Sequence, residues 1–332
     1  MGSELLTSLL RDVSRSFYLT MRILPGAVRS QIGLAYLLAR ATDTIADTEV
    51  VPPAKRLGAL AELRDRILAK RTAPLDFGGL ARSQSSPAER ILLERCEEAI
   101  TVLESFSQAD QQRIRQVLQV ITSGQELDLI RFGSAESSRL VALETEAELD
   151  DYAYRVAGCV GEFWTKVCRA GLFPAVQIDE STLLRDGVRF GKGLQMVNIL
   201  RDLPADLRKG RCYLPSQQLA AAGLKPADLL DPANEAALRP VYNRLLTVAR
   251  EHLSAGWDYT NALPRGQVRV RLACAWPVLL GAVTLRKLGM ESVLRPDHRV
   301  KVSRAELRGI ILKSVVTYPF SGKWRRQFAE SS

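Results

Sequence analysis

The chain has 332 residues, of which 46% are hydrophobic and 25% charged, with 22 Gly, 15 Pro and 5 Cys. Those proportions belong to a globular protein with a deep core and exclude disordered, collagen-like and disulfide-scaffold classes. The net charge of +9 is uneven: from Arg265 onward there are 14 Lys or Arg against 4 Asp or Glu, a basic region suited to nucleic acid, an anionic membrane surface or a phosphorylated ligand.

At the start of the chain, MGSELLTSLLRDVSRSF reaches Arg11 and Asp12 too soon to hold the apolar core of a secretion signal, so a cytoplasmic protein is expected. Apolar residues then recur three, four and seven apart in residues 54–70, 88–106 and 111–132, with charges between them, which predicts helices. Gly, Pro and Ser gather in residues 72–87 and 229–240, which read as loops. The longest apolar run, Leu272 to Leu285, holds 14 residues with Pro277 inside it. That is short of the roughly 20 needed to span a bilayer. Few stretches alternate like strands, so the expectation is a single all-α domain over residues 1–332 with a basic C-terminal part from about residue 265.

Cys96, Cys159, Cys168, Cys212 and Cys274 are widely spaced, and no two form a C-x-x-C pair; reduced, buried thiols are expected. His252 and His298 lack the companions a zinc site needs. A divalent metal would therefore be held by carboxylates.

Chemistry first shows in LLARATDTIADTE, where Asp43 and Asp47 stand four apart and share one helical face. Like charges at that spacing repel, and a divalent cation would relieve them. A lone D-x-x-x-D arises readily by chance among 37 acidic residues. A second row changes the odds: in GKGLQMVNILRDLPADLRKGRCYLP, Gln195, Asn198, Asp202 and Asp206 form one polar stripe amid Leu194, Met196, Val197, Ile199 and Leu200. Polar groups on an apolar helix cost free energy unless partnered. Two rows of hard oxygen ligands suit Mg²⁺, and Arg201, Arg208, Lys209 and Arg211 beside the second row suit phosphate oxygens. The expected ligand is a diphosphate bridged by Mg²⁺ between two helices. Pro204 lies between Asp202 and Asp206, where it removes a helix N–H and crowds the carbonyl of Leu200; Asp206 is therefore the least secure ligand, since a kink there would turn it aside.

Several motifs in order resemble the squalene/phytoene synthases, which join two prenyl diphosphates head to head. They are SRSF (Ser14 to Phe17) followed by LP, DTIAD, YAYRVAGCVG, NILRD with a further Asp, and RCYLP. The likeness runs from Ser14 to about Arg304. Within the family, GKGLQMVNILRD looks more like the squalene synthases, and RVKVSR (Arg299 to Arg304) resembles the basic segment by which those enzymes are thought to meet NADPH. Two departures stand out: family motifs often carry Glu before the last Asp, whereas Ala46 and Ala205 stand there in this chain.

The resemblance implies an isoprenoid synthase helical bundle with a central active-site cavity and a prenyltransferase that converts farnesyl diphosphate through presqualene diphosphate to squalene, with Mg²⁺ and NADPH, in sterol or hopanoid supply. It implies Asp43, Asp47, Asn198, Asp202 and Asp206 as metal ligands. Ser14, Ser16, Arg40, Gln195, Arg201, Arg211 and Tyr213 would meet the diphosphates, Tyr152 would act as a weak base, and Lys301 and Arg304 would bind NADPH. Phytoene and dehydrosqualene synthases share the motifs without a reductant, so reductant use separates the alternatives. A peripheral contact of the basic C-terminal part with the cytoplasmic membrane face is expected. With no nucleic-acid-binding motif and only 6% aromatic residues, a nucleic-acid partner is not.

Overall fold

Helix starts follow local chemistry. Pro25 (φ −58°, ψ 144°) and Pro52 (φ −54°, ψ 144°) hold extended backbone before two helices, while Ser86, Ser107, Thr145 and Ser303 accept hydrogen bonds from amides three residues on, the usual capping geometry. The structure is a computed structural model that describes residues 4–14, 17–133, 135, 138–295 and 299–332.

In chain order the helices are α1 (Leu10–Ser14), α2 (Phe17–Ile23), α3 (Gly26–Asp47), α4 (Pro53–Ile67), α5 (Gly78–Arg82), α6 (Pro87–Glu94), α7 (Cys96–Glu104), α8 (Gln108–Phe132), α9 (Glu146–Ala153), α10 (Cys159–Leu172), α11 (Glu180–Arg208), α12 (Ser216–Ala221), α13 (Glu235–Ala262), α14 (Val268–Met290), α15 (Arg304–Thr317) and α16 (Ser321–Ser331). Two-residue strands β1 (Val141–Ala142) and β2 (Arg211–Cys212) pair in parallel, Val141 opposite Arg211. The fold is all-α, as the periodicity implies.

The chain divides into two compact units, Met1–Gly133 with Phe163–Ala175, and Ser134–Glu162 with Val176–Ser332. In the first, α3 is the central helix, packed by α1, α4, α6, α7 and α8. It buries Val28, Ile32, Leu34, Leu37, Leu38 and Ile45, each contributing about 1.5–3 kcal/mol. In the second, α11 is central, packed by α9, α13, α14 and β2. Glycines on α11 and on the segment that crosses it permit close approach: a Cβ on Gly161 of α10 would lie 1.8 Å from the carbonyl oxygen of Gly187, and one on Gly191 would lie 2.1 Å from that of Ala157. Those contacts explain the glycines of the YAYRVAGCVG segment in packing terms.

Element boundaries differ from the expectation in three places. Residues 88–106 form two helices, because Arg95 leaves helical geometry (φ −104°, ψ 18°) while its guanidinium grips Glu98 through two hydrogen bonds of 2.8 Å. The loop expected over residues 72–87 contains α5, and the one over 229–240 already includes the start of α13. The apolar run around Pro277 lies in α14, a continuous 23-residue helix that is long and apolar enough to cross a membrane by length and composition. Its most apolar window is 72% buried within the protein, against α11, α13, α15 and α16, so it serves as a core helix here. None of the five cysteines is in a disulfide, and all five are buried.

Candidate active site

Each aspartate row sits at the end of its unit's central helix. In the first unit, Tyr36, Arg40, Asp43 and Asp47 follow one stripe of α3 at offsets of four, three and four. Arg40 donates to Asp43 at 2.5 Å and also to Glu89 of α6. Asp43 and Asp47 lie in the last turn, where the partial negative charge of the helix end disfavours anions. Burial and the charge of Asp47 push the Asp43 carboxyl up to about 7, Glu89 adding to the effect and Arg40 opposing it. Because 41% of the Asp43 side chain still meets solvent, repulsion among the three carboxylates is the firmer cause.

The end of α3 is tied down by residues that the sequence reading passed over. Buried Arg56 donates to the carbonyl of Ala46 at 2.6 Å, satisfying a helix-end acceptor with a cation. Thr48 donates back to the carbonyl of Thr44 at 2.6 Å and accepts from Gln84 at 2.7 Å. One turn before Arg40, the Tyr36 hydroxyl reaches the carbonyl of Val13 at 3.4 Å, which sets the end of α1 beside the stripe. Ser14 is 3% exposed, and its Oγ and the Nε of Arg40 are both buried without a hydrogen-bond partner. Buried polar atoms are nearly always paired, so two orphaned donors beside an acidic row mark a place for an anion. Ser16 lies outside the described residues.

In the second unit α11 carries Gln195, half-buried, and Asn198, exposed. Next come Arg201 and Asp202, joined by hydrogen bonds of 3.0 and 2.6 Å. The helix continues through Pro204 to Arg208, with Asp206 half-buried on it. The carbonyl of Leu200, which Pro204 deprives of its amide, accepts instead from the fully buried Tyr242 hydroxyl at 2.9 Å. Burial holds that hydroxyl protonated far above its ordinary range, so it is a dependable donor.

Asp202 has a second cationic partner that was not singled out as its ligand: Arg299 donates to it from Nε at 3.0 Å and Nη2 at 2.7 Å. Burial raises the Asp202 pKa, but Arg201 and Arg299 outweigh it and the carboxyl titrates below its usual range. Two residues beyond Arg299, Lys301 is exposed, and its carbonyl accepts from Lys287 at 3.0 Å. Arg304, also exposed, begins α15. After α11, Gly210 adopts φ 77°, a turn that suits glycine, and leads into Arg211 on β2. Tyr213 follows, 6% exposed, its ring stacked on that of Tyr152 with centroids 4.7 Å apart.

Among the described residues no three His, Cys, Asp or Glu side chains gather into a metal-binding group. Mg²⁺ is usually held by one or two carboxylates and completed by substrate phosphates and water, and a crowded carboxylate row beside orphaned donors fits a metal carrying a diphosphate.

A family model described as squalene/phytoene synthase matches residues 10–306. The chain is 29% identical over 304 residues to a presqualene diphosphate synthase of Rhodopseudomonas palustris, covering 91% of this chain and 93% of that one. It is 30% identical over 306 residues to a presqualene diphosphate synthase of Zymomonas mobilis, covering 92% and 90%. Its fold matches the solved structure of TcSQS with a bound ligand, with a TM-score of 0.79 and 21% identity over 99% of this chain and 91% of that one.

Proposed function

The chain belongs to the squalene/phytoene synthase family, and from that membership we propose that it condenses two farnesyl diphosphates head to head to presqualene diphosphate, releasing one diphosphate and one proton. The observation that carries the reading is the first acidic row: Asp43 and Glu89 pair with Arg40 while Asp47 crowds Asp43, and the Nε of that arginine is buried without a partner, as is Ser14 Oγ. Such a cluster takes a cation and an anion together, which is what a magnesium diphosphate offers. Two relatives of near-full-length overlap carry the name presqualene diphosphate synthase.

Asp43, Asp47, Asn198, Asp202 and Asp206 would hold Mg²⁺, which when bound neutralises charge growing on the leaving diphosphate. Ser14 and Arg40 donate to the diphosphate oxygens and fix its orientation, so that ionisation leaves the allylic cation in one place. Arg201 and Arg211 supply the same service beside the second row. Tyr152, buried and stacked on Tyr213, keeps water from the cation, and its hydroxyl accepts the proton lost as the cyclopropane closes.

A second reading, onward reduction to squalene, is favoured by Arg299, whose grip on Asp202 brings the backbone that bears Lys301 and Arg304 to the second row. Those two cations would hold NADPH, which supplies hydride. Supplying farnesyl or geranylgeranyl diphosphate with Mg²⁺, with and without NADPH, and identifying the lipids tests both readings. Presqualene diphosphate from the farnesyl substrate supports the first, and squalene appearing only with NADPH adds the second. Phytoene from the longer substrate, or dehydrosqualene without reductant, replaces them.

A further inference from the structure

A surface helix that packs on a core shows one apolar stripe and one polar face. Helix α15, RAELRGIILKSVVT, departs from that rule. Its inner side is set by Ser314, fully buried, which accepts from Trp276 Nε1 at 2.9 Å. With that side fixed, Leu312, Val315 and Val316 point outward at 66%, 47% and 58% exposure, and Phe320, in the turn that follows, is 56% exposed. The turn is itself held: Tyr318 donates to the carbonyl of Arg265 at 2.6 Å, and Arg265 donates to that of Pro319 at 2.7 Å. Beyond it, Trp324 is 2% exposed, stacked on Trp257 and bonded to Asn261. The exposed apolar stripe is thus a built feature, and such patches mark contact surfaces.

Its rim is cationic. Arg304 and Arg308 precede Leu312 on the same stripe at spacings of four, Lys323 stands over the Phe320 ring at 5.4 Å, and Arg325 and Arg326 are exposed on α16. Between Arg299 and Ser332 there are eight Lys or Arg and two Asp or Glu. Both acids are engaged by lysines, Glu306 by Lys287 and Glu330 by Lys313. We propose that this face docks on an anionic lipid bilayer, with Leu312, Val315, Val316 and Phe320 entering the acyl boundary and Arg308, Lys323 and Arg326 meeting lipid phosphates. Apolar side chains ringed by cations are the signature of an interfacial anchor. A second copy of the chain fits worse, since a self-complementary contact would set one cationic rim against another.

Flotation of the full chain with vesicles of phosphatidylcholine alone and with added phosphatidylglycerol tests this, and needs no turnover, so it stands apart from the reaction proposed above. The expected result is binding to the anionic vesicles, weakened by salt, and little to the neutral ones. The double variant Leu312→Glu, Phe320→Glu should lower the bound fraction about tenfold or more, with turnover in detergent and thermal melting unchanged. Should that variant misfold, Leu312→Cys carrying an environment-sensitive dye serves instead, because the native cysteines are all buried; its emission should shift to the blue on adding anionic vesicles. Absence of flotation, an unshifted dye, or a concentration-dependent dimer that the double variant abolishes would overturn the proposal.

Discussion

The hydroxyl of Tyr242 on α13 donates to the carbonyl of Leu200 on α11 at 2.9 Å, the carbonyl that Pro204 leaves without its helical amide partner. Residues 42 apart in sequence thereby keep α11 helical between Asp202 and Asp206. Tyr242→Phe strands a buried carbonyl, so it should cost about 1–3 kcal/mol in denaturant unfolding. Pro204→Ala returns an amide to that carbonyl, and in its background the same tyrosine substitution should cost less than half as much. Equal losses in the two backgrounds would show that the hydroxyl and the proline are not coupled.

Because α11 continues through Pro204, Asp206→Asn should reduce turnover as severely as Asp43→Asn and Asp202→Asn, each by about a hundredfold or more if the carboxylates serve leaving-group stabilisation. Circular dichroism should show the fold intact. An Asp206 variant with near-normal turnover would remove it from the ligand set.

Arg299 donates to Asp202 Oδ1 at 3.0 and 2.7 Å, so on the proposed reading a metal ion held by Asp202 would compete with Arg299 for that carboxylate. Arg299→Gln should therefore lower the Mg²⁺ concentration giving half-maximal turnover several-fold, each charged hydrogen bond being worth about 1.5–3 kcal/mol before solvent screening. A raised requirement would mean that Arg299 holds the carboxylate in position for the metal instead.

Glu306 accepts from the amide of Ser303 and from Lys287, which holds its carboxyl at about 2 against an ordinary 4.5. A depressed folded pKa gives stability that is full above about pH 4.5 and is lost as pH falls towards 2. Since 38% of the side chain is exposed, Glu306→Gln should cost only about 0.5–1 kcal/mol at pH 7. The gap to the unmodified protein should close near the bottom of that window, and a pH-independent gap in melting would assign the loss to packing.

The helical class and both acidic rows were legible because they follow local spacing: apolar residues at three and four, and carboxylates at four. Glu89, Arg56, Tyr242 and Arg299 were not legible as partners, since each reaches its contact from a distant part of the chain, and a lone Glu, Arg or Tyr on an amphipathic helix looks like any surface residue. The fate of Pro204 shows the limit most plainly. Its local rule predicts a kink, and the structure replaces the missing amide with a hydroxyl that no local pattern announces.

The most direct test of the central reading is the ratio of diphosphate released to farnesyl diphosphate consumed, measured on purified protein with Mg²⁺ and without NADPH. Head-to-head condensation to presqualene diphosphate predicts one diphosphate for every two substrates, with the second retained in the product. Release of one diphosphate for every substrate consumed, with farnesol or a dehydrosqualene as the lipid, would contradict it.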